Sequence, residues 1–196
     1  MLVLPAASAL DAALGILDRP DGVILAPTET VYGLICAADH AEARERIYRL
    51  KHRPAEKLLA NFVPSVGAVS AFVREIPETA RIFAVHFCPG PLTLVIPDGR
   101  GGTFGFRIPD HPFMLALLRA YGKVLASTSA NRSGQPAALS VPQAEDSLDG
   151  EPDLAVDGGI IPASSKASTV VQVSADGSWN ILRPGPVSET ELESVL

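Results

Sequence analysis

The sequence predicts a single α/β domain, at the border of the α+β class, over residues 1–196. Short apolar runs typical of buried strands alternate with segments of helical periodicity along the whole chain, and this mixture defines the class. With 47% hydrophobic residues, 196 residues can bury a core without disulfides or structural metals. The sequence contains no internal repeat and no linker-like stretch, so we expect one domain rather than two.

In the N-terminal half, the first helix is predicted over 6–18, where leucines recur at helical spacing until Pro20-Asp21-Gly22 interrupts the pattern. The apolar run 23–26 follows as a buried strand and leads into a polar loop. The same patterns predict a helix through Ala43, Ile47 and Leu50 that ends before Pro54, a strand over 61–63, and helices over 66–72 and 79–87.

In the C-terminal half, Pro89-Gly90-Pro91 separates the last of these helices from the segments that follow. Serine begins two capping-box patterns, Ser140–Gln143 and Ser188–Glu191, each of which predicts a short helix. The remaining predicted elements are strands over 92–96, 104–108, 124–127, 154–157, 168–173 and 179–182, and a helix over 112–121.

The composition excludes several classes of protein. A net charge of −6 with 16 basic residues argues against nucleic-acid binding through bulk charge. Cys36 and Cys88 are too far apart for a metal motif and indicate a reducing compartment. No stretch is long and apolar enough to span a bilayer, and the N-terminus lacks the features of a signal peptide, so we expect a soluble cytoplasmic protein.

Familiar catalytic motifs are also missing from the sequence. It has no phosphate-binding P-loop, no dinucleotide glycine pattern and no nucleophile elbow. No pair of its four histidines has the spacing of a zinc site. Hydrolases and metalloenzymes therefore receive little support.

Lys51-His52-Arg53-Pro54 places two cations at the end of a predicted helix. They could complement the negative end of the helix dipole, or they could clamp a phosphate, since arginine offers a planar fork and lysine a point charge. In the first case the pair is only a solvated helix end, and in both cases we expect its substitution to change stability little.

Two polar loops and one arginine complete the candidate features. Pro27–Gly33 and Ser127–Gly134 each follow a predicted strand, where α/β sheets bind ligands, although such residues also cap their own turns. Arg107 lies in an apolar extended run, and a buried arginine requires an anion. That anion could be a structural carboxylate or the carboxylate of a ligand.

Eight short motifs follow one another across residues 23–186. They are Pro27–Leu34, Tyr48–Pro54, Pro89–Thr93, Arg107–His111, Ser127–Asn131, Asp157–Gly159, Ser168–Val171 and Arg183–Gly185. As an ordered set, they make the chain similar to the YrdC-like family of threonylcarbamoyl-AMP synthases, in its short, single-domain form. The resemblance implies a twisted mixed sheet with flanking helices around a large concave cleft.

The resemblance also implies an activity, L-threonylcarbamoyladenylate synthase. ATP, L-threonine and bicarbonate (or CO2) would give threonylcarbamoyl-AMP and pyrophosphate, with Mg2+ bound through the ATP phosphates. The product would pass to a tRNA threonylcarbamoyl transferase complex. Weak binding of tRNA is a further expectation. Two other functions stay open: a non-catalytic RNA-binding protein, and a carbamoyl-adenylating relative of hydrogenase-maturation modules.

The matching motifs imply which residues bind each substrate. Lys51 and Arg53 would contact the ATP phosphates and carry the catalytic role, and no residue is expected to bind metal directly. The implied set is completed by Ser129, Asn131 and Arg183 for ATP, and by Thr28, Arg107, Ser127 and Ser168 for L-threonine. The sequence departs from the family at Leu58, where proline is usual, and Glu29 is not assigned a role as base.

Overall fold

The chain folds around one mixed sheet, and the computed structural model describes residues 1–196. The strands are β1 (Leu2–Pro5), β2 (Ile24–Ala26), β3 (Gly33–Ala37), β4 (Ala60–Phe62), β5 (Leu92–Pro97), β6 (Thr103–Arg107), β7 (Leu125–Ser129), β8 (Leu154–Asp157), β9 (Thr169–Val173) and β10 (Trp179–Arg183). The helices are α1 (Leu10–Leu17), α2 (Ala41–Lys51), α3 (Val66–Val69), α4 (Glu78–Phe87), α5 (Pro112–Tyr121), α6 (Val141–Ser147) and α7 (Glu189–Glu193).

The sheet has the order β1-β8-β2-β3-β7-β4-β6-β5-β9-β10. Strands β1, β8 and β2 run parallel to one another, as do the pairs β4/β6 and β5/β9. The other neighbours are antiparallel. The α/β class and the mixed sheet predicted from the sequence are therefore confirmed.

Helices cover both faces of the sheet around β2, β3, β7 and β8. Helices α1 and α5 pack on one face, against a cluster that includes Ile24, Leu125 and Val156. Helices α2 and α6 pack on the other face, against a second cluster that includes Leu25 and Leu34. Alternate residues of each strand enter opposite clusters, as the twofold periodicity of a strand requires.

Strands β5, β6 and β9 are packed differently. Leu92, Leu94 and Ile96 of β5 point into a third cluster with Phe83 of α4. The intervening residue Thr93 faces away from this core, toward an open concave surface. One face of this part of the sheet thus builds the core, and the other is left available for a site.

The structure adds two strands to the predicted elements and lengthens a third. Strands β1 and β3 were not predicted, and β7 continues to Ser129 through residues assigned to a loop. The third helix ends at Val69 instead of continuing to 72. Ser188 forms the predicted capping box, whereas the side chain of Gln143 accepts from Leu139 rather than from the N-cap Ser140. No helix has the length and apolarity needed to cross a membrane.

Candidate active site

A concave cleft of about 1010 Å3 lies over the middle of the sheet. Its floor comes from β3–β7 and β9, and residues in and after α3, including Phe72, form part of one wall. Phe72 stacks on Phe104 with the ring centroids 4.9 Å apart. The volume lies at the upper end of the range typical of small-molecule sites, so the cleft can hold more than one small substrate.

The charges in the cleft are opposite in sign to the charge of the chain. The protein carries a net charge of −6, yet the charged side chains of the lining are mostly basic. The charged residues that line it are Arg44, Arg53, Arg107, Lys123 and Arg183, against the single acid Asp39. Since Asp39 lies 3.7 Å from the ammonium of Lys123, the remaining charge favours an anionic ligand.

Arg107, the last residue of β6, is 5% exposed and lines the cleft. Its Nε donates to the Gly90 carbonyl (3.1 Å) and its Nη2 to Thr30 Oγ1 (2.9 Å), while Glu29 Oε1 lies 2.7 Å from Nη2. Nη1 donates to no protein acceptor, so it is available to a ligand. The sequence allowed either a structural carboxylate or a ligand carboxylate beside Arg107. Glu29 is the structural carboxylate, and the free Nη1 could still bind the carboxylate of a ligand.

Thr28 lies in the loop between β2 and β3, and its hydroxyl is linked to Arg107. The Thr28 hydroxyl donates to the Val31 carbonyl (2.7 Å) and lies 2.9 Å from Thr30 Oγ1. Because its one proton goes to Val31, Thr30 is the donor between the two hydroxyls. This chain of hydrogen bonds runs from Arg107 through Thr30 to Thr28 and fixes a hydroxyl at the cleft surface.

Ser168 and Arg183 meet at the β9–β10 end of the cleft. Arg183 donates from Nη2 to the Ser168 carbonyl (2.7 Å) and to its hydroxyl (3.0 Å), and Ser168 Oγ is 2.8 Å from Thr93 Oγ1. Partial burial and the positive charges of Arg107 and Arg53 lower the pKa of Arg183. The guanidinium groups therefore influence one another across the cleft, which favours a polyanion between them.

Two motif glycines allow close approaches that shape this region. A Cβ on Gly185 would lie 2.3 Å from the Thr169 amide nitrogen, so no larger residue fits beside the Ser168 loop. A Cβ on Gly158 would lie 2.6 Å from Pro27 Cγ. The Tyr32 hydroxyl holds this second loop, accepting from the Gly158 amide (3.0 Å) and donating to the Gly159 carbonyl (2.8 Å).

Arg53 lies two residues after α2 and lines the cleft. Its Nε and Nη2 donate to the carbonyls of Lys57 (2.9 Å) and Leu58 (2.8 Å). Tyr48 also donates to the Lys57 carbonyl, at 3.1 Å. Arg53 thus folds the exposed 54–58 loop back on itself and places Leu58, which is 65% exposed, at the cleft rim.

Lys51 is buried, so the alternative of a solvated helix end is wrong for this residue. It is 1% exposed, and its ammonium donates to the carbonyls of Ser129 and Asn131 and to Asn131 Oδ1. Burial, followed by the charge of Arg53, lowers its pKa to about 7. Lys51 therefore ties the end of α2 to the end of β7.

Asn131 also lies behind the cleft surface. Its Oδ1 accepts from Ser129 Oγ, and its Nδ2 donates to the carbonyls of Arg132 (2.8 Å) and Gln135 (2.7 Å). All the polar atoms of this side chain are thereby engaged within the protein. Asn131 supports the loop that carries Ser129 to the cleft.

The structure thus brings together seven of the nine predicted site residues. Lys51 and Asn131 do not line the cleft, and they hold the loop behind it. The residues that do line it are Thr28, Arg53, Arg107, Ser127, Ser129, Ser168 and Arg183.

The charged residues of this region beyond the predicted set are Glu29, Asp39, Arg44 and Lys123. Glu29 was noted without a role, and Arg44 and Lys123 were not considered. The approach of Glu29 to Arg107 joins positions 78 apart, so no local pattern signals it. No group of three or more histidine, cysteine, aspartate or glutamate side chains could hold a metal ion.

The fold and the cleft define an α/β protein whose cleft presents several cations beside a set of fixed hydroxyl groups. The Sua5_yciO_yrdC family, described as "Telomere recombination", matches residues 18–185. The chain therefore belongs to this family, and the resemblance noted in the sequence is confirmed.

Two threonylcarbamoyl-AMP synthases illustrate its similarity to named relatives. The protein from Bacillus subtilis is 34% identical over 188 residues, covering 91% of this chain and 54% of the relative. The protein from Homo sapiens is 38% identical over 197 residues, covering 93% and 69%. The chain thus spans about half the length of the bacterial relative.

Solved structures support the same assignment. Pyrococcus abyssi Sua5 complexed with L-threonine superposes with a TM-score of 0.87 at 31% identity, over 100% of this chain and 59% of that one. Escherichia coli YciO gives a TM-score of 0.80 at 25% identity, over 97% of both chains. A twisted mixed sheet around a concave cleft is therefore the fold of this family as well as of this chain.

Proposed function

We propose that the protein is an L-threonylcarbamoyladenylate synthase, which makes threonylcarbamoyl-AMP and pyrophosphate from ATP, L-threonine and bicarbonate or CO2. The observation that carries this proposal is the pairing, within one cleft, of a carboxylate-binding arginine with hydroxyl groups and a set of further cations. The names of the relatives and the threonine complex of Pyrococcus abyssi Sua5 support the same reaction.

The L-threonine subsite is proposed around Arg107, Thr28, Ser127 and Ser168. The free Nη1 of Arg107 would pair with the substrate carboxylate in a partly desolvated site, where such a contact is strong. Thr28, Ser127 and Ser168 are each no more than 4% exposed and carry hydroxyls at the lining. The Ser127 hydroxyl has no partner within the protein, so it can accept from the substrate ammonium, and the Ser168 hydroxyl keeps one hydrogen-bonding position beyond those to Thr93 and Arg183. The Thr28 hydroxyl is fully engaged by Thr30 and Val31, so it would position the loop beside the substrate.

The ATP subsite is proposed around Arg53, Ser129 and Arg183. Arg53 and Arg183 each use Nε and Nη2 within the protein, so Nη1 of each can turn to a phosphate. Lys51 and Asn131 would act by fixing the loop beneath Ser129. Because the chain offers no carboxylate cluster, Mg2+ would be held by the phosphates and water.

The reaction requires little acid–base chemistry from the protein. The threonine amine and bicarbonate form a carbamate and water, and a carbamate oxygen then attacks the α-phosphorus as pyrophosphate leaves. Arg53 and Arg183 would offset the charge that builds on the leaving group, and Arg107 would orient the nucleophile. Positioning and electrostatics would supply most of the rate. We further propose that the product passes to a tRNA threonylcarbamoyl transferase complex.

The test is to incubate the protein with ATP, Mg2+, bicarbonate and labelled L-threonine. We expect threonylcarbamoyl-AMP by mass spectrometry, and pyrophosphate release that depends on both threonine and bicarbonate. Equal pyrophosphate release after removal of bicarbonate and CO2 would contradict the carbamate nucleophile. Salt-sensitive RNA binding without ATP consumption would instead indicate a non-catalytic RNA-binding protein.

A further inference from the structure

Glu29 occupies a place that the proposed reaction does not use. Its side chain is 20% exposed, yet both carboxylate oxygens are buried and neither receives a hydrogen bond. Oε1 lies 2.7 Å from Arg107 Nη2, so the contact is an ion pair without a well-directed hydrogen bond. The negative charge of Glu29 is therefore balanced chiefly by Arg107.

Glu29 and Arg107 lie between two cavities. Arg107 lines the large cleft, whereas Glu29 lines a separate polar cavity of about 450 Å3. A carboxylate that enters the cleft would approach the free Nη1 of Arg107, while Glu29 stays at Nη2. The two negative groups would then share one guanidinium.

We propose that Glu29 is the resident counter-ion of Arg107 and sets the affinity of the cleft for a carboxylate ligand. This inference rests on the proposed function insofar as that ligand is L-threonine. In the empty protein, the pair allows Arg107 to be buried, because a lone buried charge is strongly disfavoured. In the occupied protein, the nearby negative charge of Glu29 weakens the hold of Arg107 on the incoming carboxylate.

Removal of the Glu29 charge should change the melting temperature and the affinity for a carboxylate ligand in opposite directions. Glu29→Gln keeps the shape of the side chain but removes its charge. The empty variant should melt at a lower temperature, because Arg107 loses its counter-ion. The same variant should bind L-threonine about tenfold more tightly, because the ligand now supplies the only carboxylate. If Glu29 merely oriented Arg107, Glu29→Gln would lower both the melting temperature and the affinity for L-threonine.

The experiment measures melting temperature and calorimetric affinity for wild type, Glu29→Gln and the control Glu75→Gln. Glu75 is exposed and makes no ion pair. The probes are L-threonine, L-threoninamide, and sodium acetate compared with sodium chloride at equal ionic strength. We expect a gain only in Glu29→Gln, for threonine and acetate but not for the amide. An unchanged or weaker carboxylate affinity, or an equal gain for the amide, would overturn the proposal.

The choice of probes distinguishes failure of the proposed function from failure of the counter-ion role. If wild type binds no L-threonine but acetate stabilises Glu29→Gln more than wild type, the proposed function fails and the counter-ion role stands. If no carboxylate distinguishes the two proteins, the counter-ion role is wrong. Should Glu29→Gln not fold, Glu29→Asp retracts the charge by one methylene. A smaller gain in carboxylate affinity is then expected, and its absence would overturn the proposal.

Discussion

Arg107 has both a structural and a binding role, and the two can be separated. Arg107→Ala removes the proposed partner of the substrate carboxylate and leaves Glu29 buried without a cation. We expect threonine affinity to fall at least about thirtyfold, since losing one member of a desolvated charge pair costs roughly 2 kcal/mol or more. The melting temperature should fall as well.

The double variant Arg107→Ala/Glu29→Gln provides the control. It removes both charges, so we expect part of the stability to return while threonine affinity stays low. Calorimetry and thermal unfolding measure the two quantities. Recovery of threonine binding in the double variant would show that Arg107 does not contact the ligand.

Lys51 makes stability depend on pH. Its pKa is about 7 in the folded protein and 10.5 as the ordinary value, so the unfolded chain binds more protons between these pH values. The contribution of Lys51 to the free energy of unfolding therefore rises with pH from about 7 to 10.5, by at most about 1.4 kcal/mol per unit. Denaturant unfolding of wild type across this range should show a slope that Lys51→Met lacks.

Lys51→Met also tests the structural role at a single pH. The substitution leaves the carbonyls of Ser129 and Asn131 without their donor. We expect a loss of about 1–3 kcal/mol at pH 7, the usual cost of unsatisfied buried polar groups. An unchanged free energy of unfolding would restore the expectation of a solvated helix end.

At the scale of elements, the conformation of the segment between α2 and β4 is held by the guanidinium of one side chain, Arg53. Arg53→Lys keeps the charge but cannot bond the Lys57 and Leu58 carbonyls in the same bidentate manner. We expect faster amide hydrogen exchange over residues 55–58 and lower turnover with a smaller change in ATP affinity. Tyr48→Phe, which removes only the hydroxyl bond to Lys57, is the matched control. Equal exchange in wild type and Arg53→Lys would contradict this role.

Most elements could be predicted because their apolar residues follow a clear period. Strand β3 is a buried apolar run like β2, but it follows directly on the polar loop 27–33, and nothing in the local sequence marks where the loop ends and the strand begins. Strand β1 is an edge strand that gains its hydrogen bonds from β8, about 150 residues away. Local sequence carries no information about such a partner.

The candidate site was predicted less completely than the fold. The motifs identified the residues that line the cleft, but spacing does not report the depth of a side chain. For Lys51 a signal was present, because it follows Ile47 by four residues and so lies on the buried face of α2. For the Glu29–Arg107 pair no such signal existed, because the two residues meet only in the folded sheet.

At the scale of the whole molecule, ligands in the cleft should stabilise the entire sheet, since six central strands line it. With ATP, Mg2+ and L-threonine at about 100 times their dissociation constants, each independent ligand adds roughly 2.7 kcal/mol. That amounts to a rise in melting temperature of about 5–10 °C per ligand for a chain of this size. Thermal unfolding with each ligand alone and with both provides the measurement. Absence of any shift with both ligands would contradict a shared cleft.

The order of strands has a consequence for synthesis on the ribosome. Early strands pair with late ones: β1 with β8 and β5 with β9. The cleft combines Thr28 from the first part of the chain with Arg183 from near its end. A nascent chain therefore cannot complete the cleft until residue 183 has emerged from the ribosome. Until then, its early strands lack the partners with which they form hydrogen bonds. Slower translation of the last strands would lengthen the time in which these open edges are exposed to chaperones and to one another.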